Sequence, residues 1–298
     1  MKILISGSSG LVGSALVSFL QAQGHQIFKL VRTRANLKVD EIGWDLERGV
    51  INADLLEELD AVVHLAGENI AEGRWTEEKK KRIRDSRVKG TSLLSHALAQ
   101  LRHPPQTFIC ASAIGYYGNR GAEILTEKSV KGIGFLADVC QEWEAATVSA
   151  ANKGIRVANL RFGVVLSDKG GVLVKMRTPF EWGLGGKIGT GEQYMSWIVL
   201  EDLINVIQLV LQKSDLKGPI NVVSPHPVTN AEFTKELGQV LHRPTFMQMP
   251  AFMARLAFGE MADELLLASE RVAPEVLMQA GFKFNYPQLK DGLEALLS

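Results

Sequence analysis

The sequence predicts an α/β protein: a doubly wound parallel sheet with helices on both faces, and a smaller carboxyl-terminal lobe. Three observations carry this expectation. Short apolar strands alternate with helical patterns through about the first 165 residues. The opening strand runs through a glycine turn of spacing G-x-x-G-x-x-G straight into a helix. After about residue 166 the alternation weakens, and glycines and aromatics cluster.

Lys2 to Ser6 reads as a buried strand, and the helical pattern Leu11, Val12, Ala15, Leu16, Phe19, Leu20 begins at once behind the turn. Gly7 allows a tight turn. Gly10 lets the main chain approach a pyrophosphate, and Gly13 lets the helix lie close on the strand. Free N–H groups at the helix start, with the positive end of its dipole, then face the anion. Gly7, Ser9, Gly10, Leu11, Val12 and Gly13 are therefore candidate contacts of a dinucleotide. The helix ends near Gly24, and 26–31 forms a second strand, completing a right-handed βαβ unit. An acidic residue at the tip of that strand would hold a ribose hydroxyl, as expected for NAD. Arg32-Thr33-Arg34 stands there instead and suits a 2′-phosphate, so the expected cofactor is NADP(H). A charge-assisted contact is worth about 1.5–3 kcal/mol, so each arginine favours the phosphorylated dinucleotide by roughly tenfold or more.

The next strand, 61–67, again runs into a glycine turn, and Leu65, Ala66 and Gly67 are expected against the cofactor. His64 reads as a packed core group. Glu68 and Asn69, at the strand tip, are candidate substrate contacts. A long helix is expected over 75–101, stopped by Pro104-Pro105; its charged first half reads as a solvated face. Arg87 sits deeper in that helix, within reach of a phosphate or ribose. Strand 107–111 ends in Ser112, Tyr116 and Tyr117, groups able to hydrogen-bond a carbonyl or hydroxyl undergoing redox chemistry. A helix over 135–152 carries Trp143 and Glu144. Strand 155–160 follows, and Val164 beyond its end is a further cofactor contact.

The glycines from 170 to 191, with Phe180, Trp182, Tyr194 and Trp197, read as a shaped loop region over a pocket, with Trp197 facing substrate. A helix to about 211, a returning strand near 219–223 and a helix over 229–241 follow, with Thr229 or Asn230 as cap. The tail from about 243 is rich in Met, Phe and Leu, which is usually pliable packing. The expected domains are 1–165 with the returning strand for the dinucleotide, and 166–218 with 225–298 as the substrate lobe.

Composition narrows the partners. Lys+Arg and Asp+Glu both number 33 in the 298 residues, so charge gives no reason to expect nucleic acid or an anionic membrane. Cys110 and Cys140 are the only cysteines, which suggests a reducing, cytoplasmic setting and no metal cluster. No stretch approaches a signal peptide or a membrane span.

The whole chain resembles the extended short-chain dehydrogenase/reductase family of Rossmann-type proteins, which includes sugar-nucleotide epimerases and dehydratases. The residues that carry the likeness are Gly7-x-x-Gly10-x-x-Gly13, Leu65-Ala66-Gly67, Ser112 with Tyr117-Gly118, and Ser196-Trp197-Ile198 to Asp202. It is more closely similar to the atypical branch called epimerase family proteins, through Leu65 to Ile70 with Arg74-Trp75, Gly183 to Gly186, Thr229 to Phe233, and a distinctive carboxyl-terminal segment from about 245. The resemblance implies NADP-dependent oxidoreductase or epimerase chemistry. One departure stands out. The wider family sets a tyrosine four positions before a lysine that holds the nicotinamide ribose and tunes the phenol; this chain has Phe135 and Val139 where that pair belongs. Losing a positioned acid or base typically costs about 10²–10⁴ in rate, while cofactor binding can survive.

Two functions follow. One is a reductase or dehydrogenase acting on a small carbonyl or hydroxyl compound, with Tyr117 or Tyr116, helped by Ser112, supplying the proton. The other is a catalytically silent NADP(H)-binding sensor or regulatory protein. By analogy with relatives, the long helices near 75–101 and 135–152 offer a surface for a homodimer.

Overall fold

The computed structural model describes residues 1–33 and 35–297. Its elements run β1 (Lys2–Ser6), α1 (Leu11–Ala22), β2 (Gln26–Arg32), β3 (Glu41–Asp45), β4 (Val50–Ile51), β5 (Ala61–His64), α2 (Glu77–Gln100) and β6 (Thr107–Ala113). Then come β7 (Ile124–Leu125), α3 (Phe135–Ala145), α4 (Val148–Asn152), β8 (Arg156–Phe162), β9 (Val164–Leu166), α5 (Val172–Glu181) and β10 (Gly186–Ile188). The chain continues through β11 (Tyr194–Met195), β12 (Trp197–Val199), α6 (Leu200–Gln212), β13 (Gly218–Val222), β14 (Val228–Thr229) and α7 (Asn230–Val240). It closes with β15 (Met247–Met249), α8 (Ala251–Phe258), β16 (Arg271–Val272), α9 (Glu275–Gln279) and α10 (Leu289–Leu297).

Eight strands form one sheet in the order β13-β8-β6-β5-β1-β2-β3-β4. Every neighbouring pair is parallel except β3 with β4. The order reverses between β1 and β5, and such a switch point opens a crevice at the carboxyl ends of the strands. Parallel strands are covered on both faces, and β5 is buried along its length. One face packs α1 and α6 on Ile3, Ile5, Val63 and Ile109; the other packs α2 and α3 on Leu4, Val62 and Phe108.

Four differences from the sequence expectations have physical reasons. The helix expected over 135–152 is two, α3 and α4, broken after Ala145, with Thr147 Oγ1 donating to Glu144 O at 2.7 Å. A side chain that bonds its own main chain offers an alternative to continuing the helix. Strands β3 and β4 were not expected; Ile42 and Trp44 alternate inward, and Trp44 fits against Gly90 of α2, where a Cβ would stand 3.2 Å from the indole. Helix α6, expected in the smaller lobe, lies on the main sheet beside α1, burying Leu203, Ile207 and Val210, and Leu277 of α9 joins the same core. The lobe keeps its own core of Leu173, Phe180, Trp197, Phe233, Leu237 and Leu293. Trp197 is thus a lobe core residue, fully buried, with Nε1 donating to His226 O at 3.1 Å, and does not reach the crevice.

Candidate functional site

The site grows from the turn after β1. Gly7 has φ of +66°, in the left-handed region that favours glycine, and a Cβ there would meet Leu65 C at 2.8 Å. A Cβ on Gly13 would come to 2.1 Å of Gly7 O, so the helix approaches the turn as closely as a main chain allows. Gly10 N donates to Gly7 O at 3.0 Å and closes the turn. At the start of α1, Gly10 supplies no side-chain cap, and the first turn holds no acidic residue. The amides of Leu11 and Val12 therefore open an uncapped, positive helix end toward an exposed Ser9 and Gly10. The donor set fits a dinucleotide diphosphate. Gly171 closes in from the lobe side, where a Cβ would lie 3.1 Å from Leu11 Cδ2.

Ser6 locks this turn to the next strand tip. Its Oγ accepts from Leu65 N at 3.0 Å and Ala66 N at 3.2 Å, and it lies 2.6 Å from His64 Nδ1. With its lone pairs engaged by two amides, the hydroxyl gives its proton to Nδ1, which must be an acceptor; His64 is neutral. Burial agrees, pushing this imidazole down to about 4. His64 is the core group that the sequence suggested. The amides of Leu65 and Ala66 are used up, so these residues offer a ligand only their Cα and side-chain surfaces.

At the tip of β2, Arg32 and Thr33 are exposed, and Thr33 N donates to Trp44 O at 2.9 Å. Arg34 lies outside the described residues. Arg87 lies deep beneath the exposed Gly67, where a Cβ would stand 3.3 Å from its Cζ. Its Nη1 donates to Glu68 O at 3.0 Å and Ile83 O at 3.2 Å, and its Cζ sits 5.1 Å from the centre of a Trp143 ring. No carboxylate pairs with it among the described residues, and burial draws its pKa down. A desolvated guanidinium facing a strand tip without a counter-ion suits an anionic or polyhydroxyl ligand.

Glu68 and Asn69 are held locally. Glu68 Oε1 accepts from Lys79 Nζ at 2.7 Å, which keeps the carboxyl below its usual range, and Asn69 Oδ1 accepts from Ala71 N at 3.0 Å. The loop after Glu68 bridges the crevice. Arg74 Nη2 donates to Leu256 O at 2.6 Å, Lys175 Nζ donates to Ala71 O at 2.9 Å, and Lys80 pairs with Glu260 at 3.0 Å.

The groups expected to do acid–base work are engaged elsewhere. Ser112 Oγ donates to Glu144 Oε1 at 2.7 Å. Tyr117 is fully buried; its hydroxyl donates to Asn221 Oδ1 at 2.7 Å and accepts from Arg161 Nη1 at 2.8 Å. Burial pushes this phenol up to about 12, against the pull of Arg161. Tyr116 lays its half-buried ring on Arg161, Cζ to centroid 3.5 Å. The structure brings Ser112, Tyr116 and Tyr117 together around the Arg161–Glu144 pair, with Ser112 and Tyr117 buried and Tyr116 partly open. On α3, Phe135 packs edge-on to Trp75 at 5.5 Å, and Val139 is buried. Val164 N donates to Ser196 O at 2.9 Å at the exit of β8.

The carboxyl-terminal segment makes a contribution that no sequence motif announces. After α8 a π turn, Ala262–Leu266, aims Glu264 at the amino end of α3, where it accepts from Phe135 N at 3.3 Å and Leu136 N at 3.2 Å. Glu270 lies nearby, ahead of β16. No periodicity or spacing marks Glu264, because its role comes from a contact with a helix about 130 residues earlier. A shallow hollow lined by Thr147, Gly154, Arg156 and Gly218 lies at the other edge, where β8 and β13 begin, away from these groups.

An uncapped glycine-rich helix start at the switch point of a mostly parallel sheet defines a dinucleotide-binding protein of Rossmann type. Residues 3–223 match the model of the NAD dependent epimerase/dehydratase family, and the chain belongs to that family. Residues 249–296 match a domain of unknown function, DUF1731, which covers the segment carrying Glu264 and Glu270. Within the family it is similar to Epimerase family protein MT2273 of Mycobacterium tuberculosis, 45% identical over 291 residues, 98% of this chain and 96% of that one. It is 36% identical to the chloroplastic SDR39U1 homolog of Arabidopsis thaliana, over 100% of this chain and 87% of that one. The crystal structure of human epimerase family protein SDR39U1 (isoform2) with NADPH superposes with a TM-score of 0.92 at 32% identity, covering 100% of this chain and 99% of that one. Among the described residues no helix is long and apolar enough to cross a membrane.

Proposed function

We propose that this protein is an NADP(H)-dependent oxidoreductase, epimerase-like in fold, acting on a small carbonyl or hydroxyl compound. The single observation that carries the cofactor reading is the uncapped start of α1 with Arg32 exposed at the neighbouring strand tip. The NADPH in the human relative supports the phosphorylated form. The amides of Leu11 and Val12, with Ser9, hold the diphosphate; Arg32 and Thr33, with Arg34, take the 2′-phosphate. Leu65, Ala66 and Gly67 line the floor, Arg87 holds a ribose or phosphate oxygen, and Val164 borders the nicotinamide. When bound, the dinucleotide supplies a hydride. The loop anchored by Arg74 and Lys175 excludes water from the crevice. The two free, buried cysteines accord with a reducing, cytoplasmic location.

Phe135 and Val139 stand in for the family's tyrosine and lysine, and this favours a second reading, a sensor that binds NADP(H) without turnover. Titration calorimetry tests the cofactor: NADPH should bind at least about tenfold tighter than NADH, and Arg32→Asp should remove the preference. Uptake of neither dinucleotide overturns the proposal. Loaded protein presented with a panel of aldehydes and ketones, followed by NADPH absorbance, separates enzyme from sensor.

A further inference from the structure

We propose that the carboxyl group of Glu270 is the proton donor at the nicotinamide end of the crevice, in the role that the family gives to a phenol on α3. This rests on the oxidoreductase reading above.

The groups nearest in chemistry are already committed. Phe135 and Val139 exchange no proton. Ser112 and Tyr117 are tied into the Glu144–Arg161 network, and Tyr116 lies flat on that guanidinium. Glu270 is free. Among the described residues no hydrogen bond or ion pair reaches its carboxyl group: its neighbour Arg271 turns away, donating to Ala122 O at 3.4 Å and lying 4.8 Å from the Tyr194 ring centre.

Its main chain fixes where it stands. Glu270 N donates to Tyr194 O at 3.1 Å, and Glu270 O accepts from Ser196 Oγ at 2.8 Å. The carbonyl of the same Ser196 holds Val164 N at the exit of β8, where the nicotinamide is expected. From the other side Glu270 feels Glu264, the carboxylate on the amino end of α3, and it acts on Cys140, one position beyond Val139. It therefore lies between the carboxyl edge of the sheet and the first half of α3. It is deep in the fold yet keeps part of its surface open to solvent, as a group on the floor of a crevice does.

The surroundings suit an acid. Burial first, and the Glu264 charge second, push this carboxyl up to about 8, so it carries its proton at neutral pH. Glu264 acts on this carboxyl and Cys140 is acted on by it, and among the described residues neither donates to it. In the forward step the carbonyl carbon of the substrate gains a hydride from NADPH, and the π pair moves to oxygen. That oxygen takes the proton as the O–H bond of Glu270 breaks. The products are an alcohol, NADP⁺ and a carboxylate, which regains a proton from solvent through its open side.

The test needs no substrate. NADP⁺ carries a positive ring and NADPH a neutral one, so only NADP⁺ should drive a proton off a carboxyl beside the ring. Calorimetry of both dinucleotides near pH 7, in buffers of different ionisation enthalpy, reads that proton. The expected result is release with NADP⁺, little with NADPH, loss of the difference in Glu270→Gln, and its return at a lower pH in Glu270→Asp. Should Glu270→Gln fail to fold, the wild-type difference and its shift in Glu270→Asp still decide. Binding of both dinucleotides with equal release, or release that persists in Glu270→Gln, overturns the role of Glu270 alone. Binding of neither overturns the cofactor reading with it.

Discussion

Arg161 and Glu144 meet in a two-bond fork: Nε donates to Oε1 at 2.7 Å and Nη2 to Oε2 at 2.8 Å, with side chains only 3% and 13% exposed. The fork joins β8 to α3 directly beneath the strand tips. Ser112 adds a third bond to Glu144, and Tyr117 a fourth contact to Arg161, so nearly every polar atom in the cluster is satisfied. Such a cluster fixes the relative position of β6, β8 and α3, which together shape the crevice.

Glu144→Gln leaves the guanidinium buried beside a neutral amide. Breaking a buried pair by removing one partner costs about 3–5 kcal/mol. The urea midpoint should fall accordingly, and NADPH affinity should fall only as far as the folded fraction does.

Tyr117→Phe separates a structural phenol from an acid. The variant removes a donor to Asn221 Oδ1 and an acceptor from Arg161. A lost buried partner costs about 1–3 kcal/mol of stability. Reduction of any carbonyl compound the wild type accepts should continue within a few-fold. A rate drop approaching the 10²–10⁴ typical of a lost acid (roughly, per positioned group) would return the role to Tyr117.

Gly13→Ala tests the close approach at the turn. Its Cβ would stand 2.1 Å from a main-chain oxygen, so α1 must move. Overpacking of this kind costs about 1–3 kcal/mol. Because the shifted element carries the amides proposed to hold the diphosphate, NADPH affinity should weaken in the folded protein as well, measured by calorimetry.

His64 makes stability depend on acidity. Its folded value of about 4 lies below the value of 6.5 expected in the unfolded chain. The unfolded state therefore binds the extra proton between those values, and stability is lost as pH falls through that window, by about 3 kcal/mol at most. Glu270, raised to about 8, works in the opposite sense as pH rises from its usual range. The difference between wild type and His64→Gln isolates the histidine: the gap in unfolding free energy should change between pH 7 and pH 4 in favour of the variant.

Much of the cofactor half was legible because its causes are local. Gly7, Gly10 and Gly13 answer to steric limits within one turn, and the strands 2–6, 61–67 and 107–111 are apolar runs that only a two-sided burial explains. Strand β3 was not legible, because the alternation of Ile42 and Trp44 spans only a few residues and becomes a strand through pairing with β2 and packing on α2. Nor was the acid–base half. Ser112 and Tyr117 have the right chemistry at a strand end, but a serine hydroxyl or a phenol looks the same in sequence whether it faces substrate or a buried guanidinium.

The chain alone determined the dinucleotide turn, the parallel sheet and the basic tip of β2, since each depends on residues within about one βαβ unit. Only the tertiary structure decided that Trp197 closes the lobe core, that Arg161 claims the tyrosines, and that Glu264 arrives at α3 from the far end of the chain. Those outcomes depend on which distant surfaces exclude water from each other, and no local pattern of side chains encodes that choice.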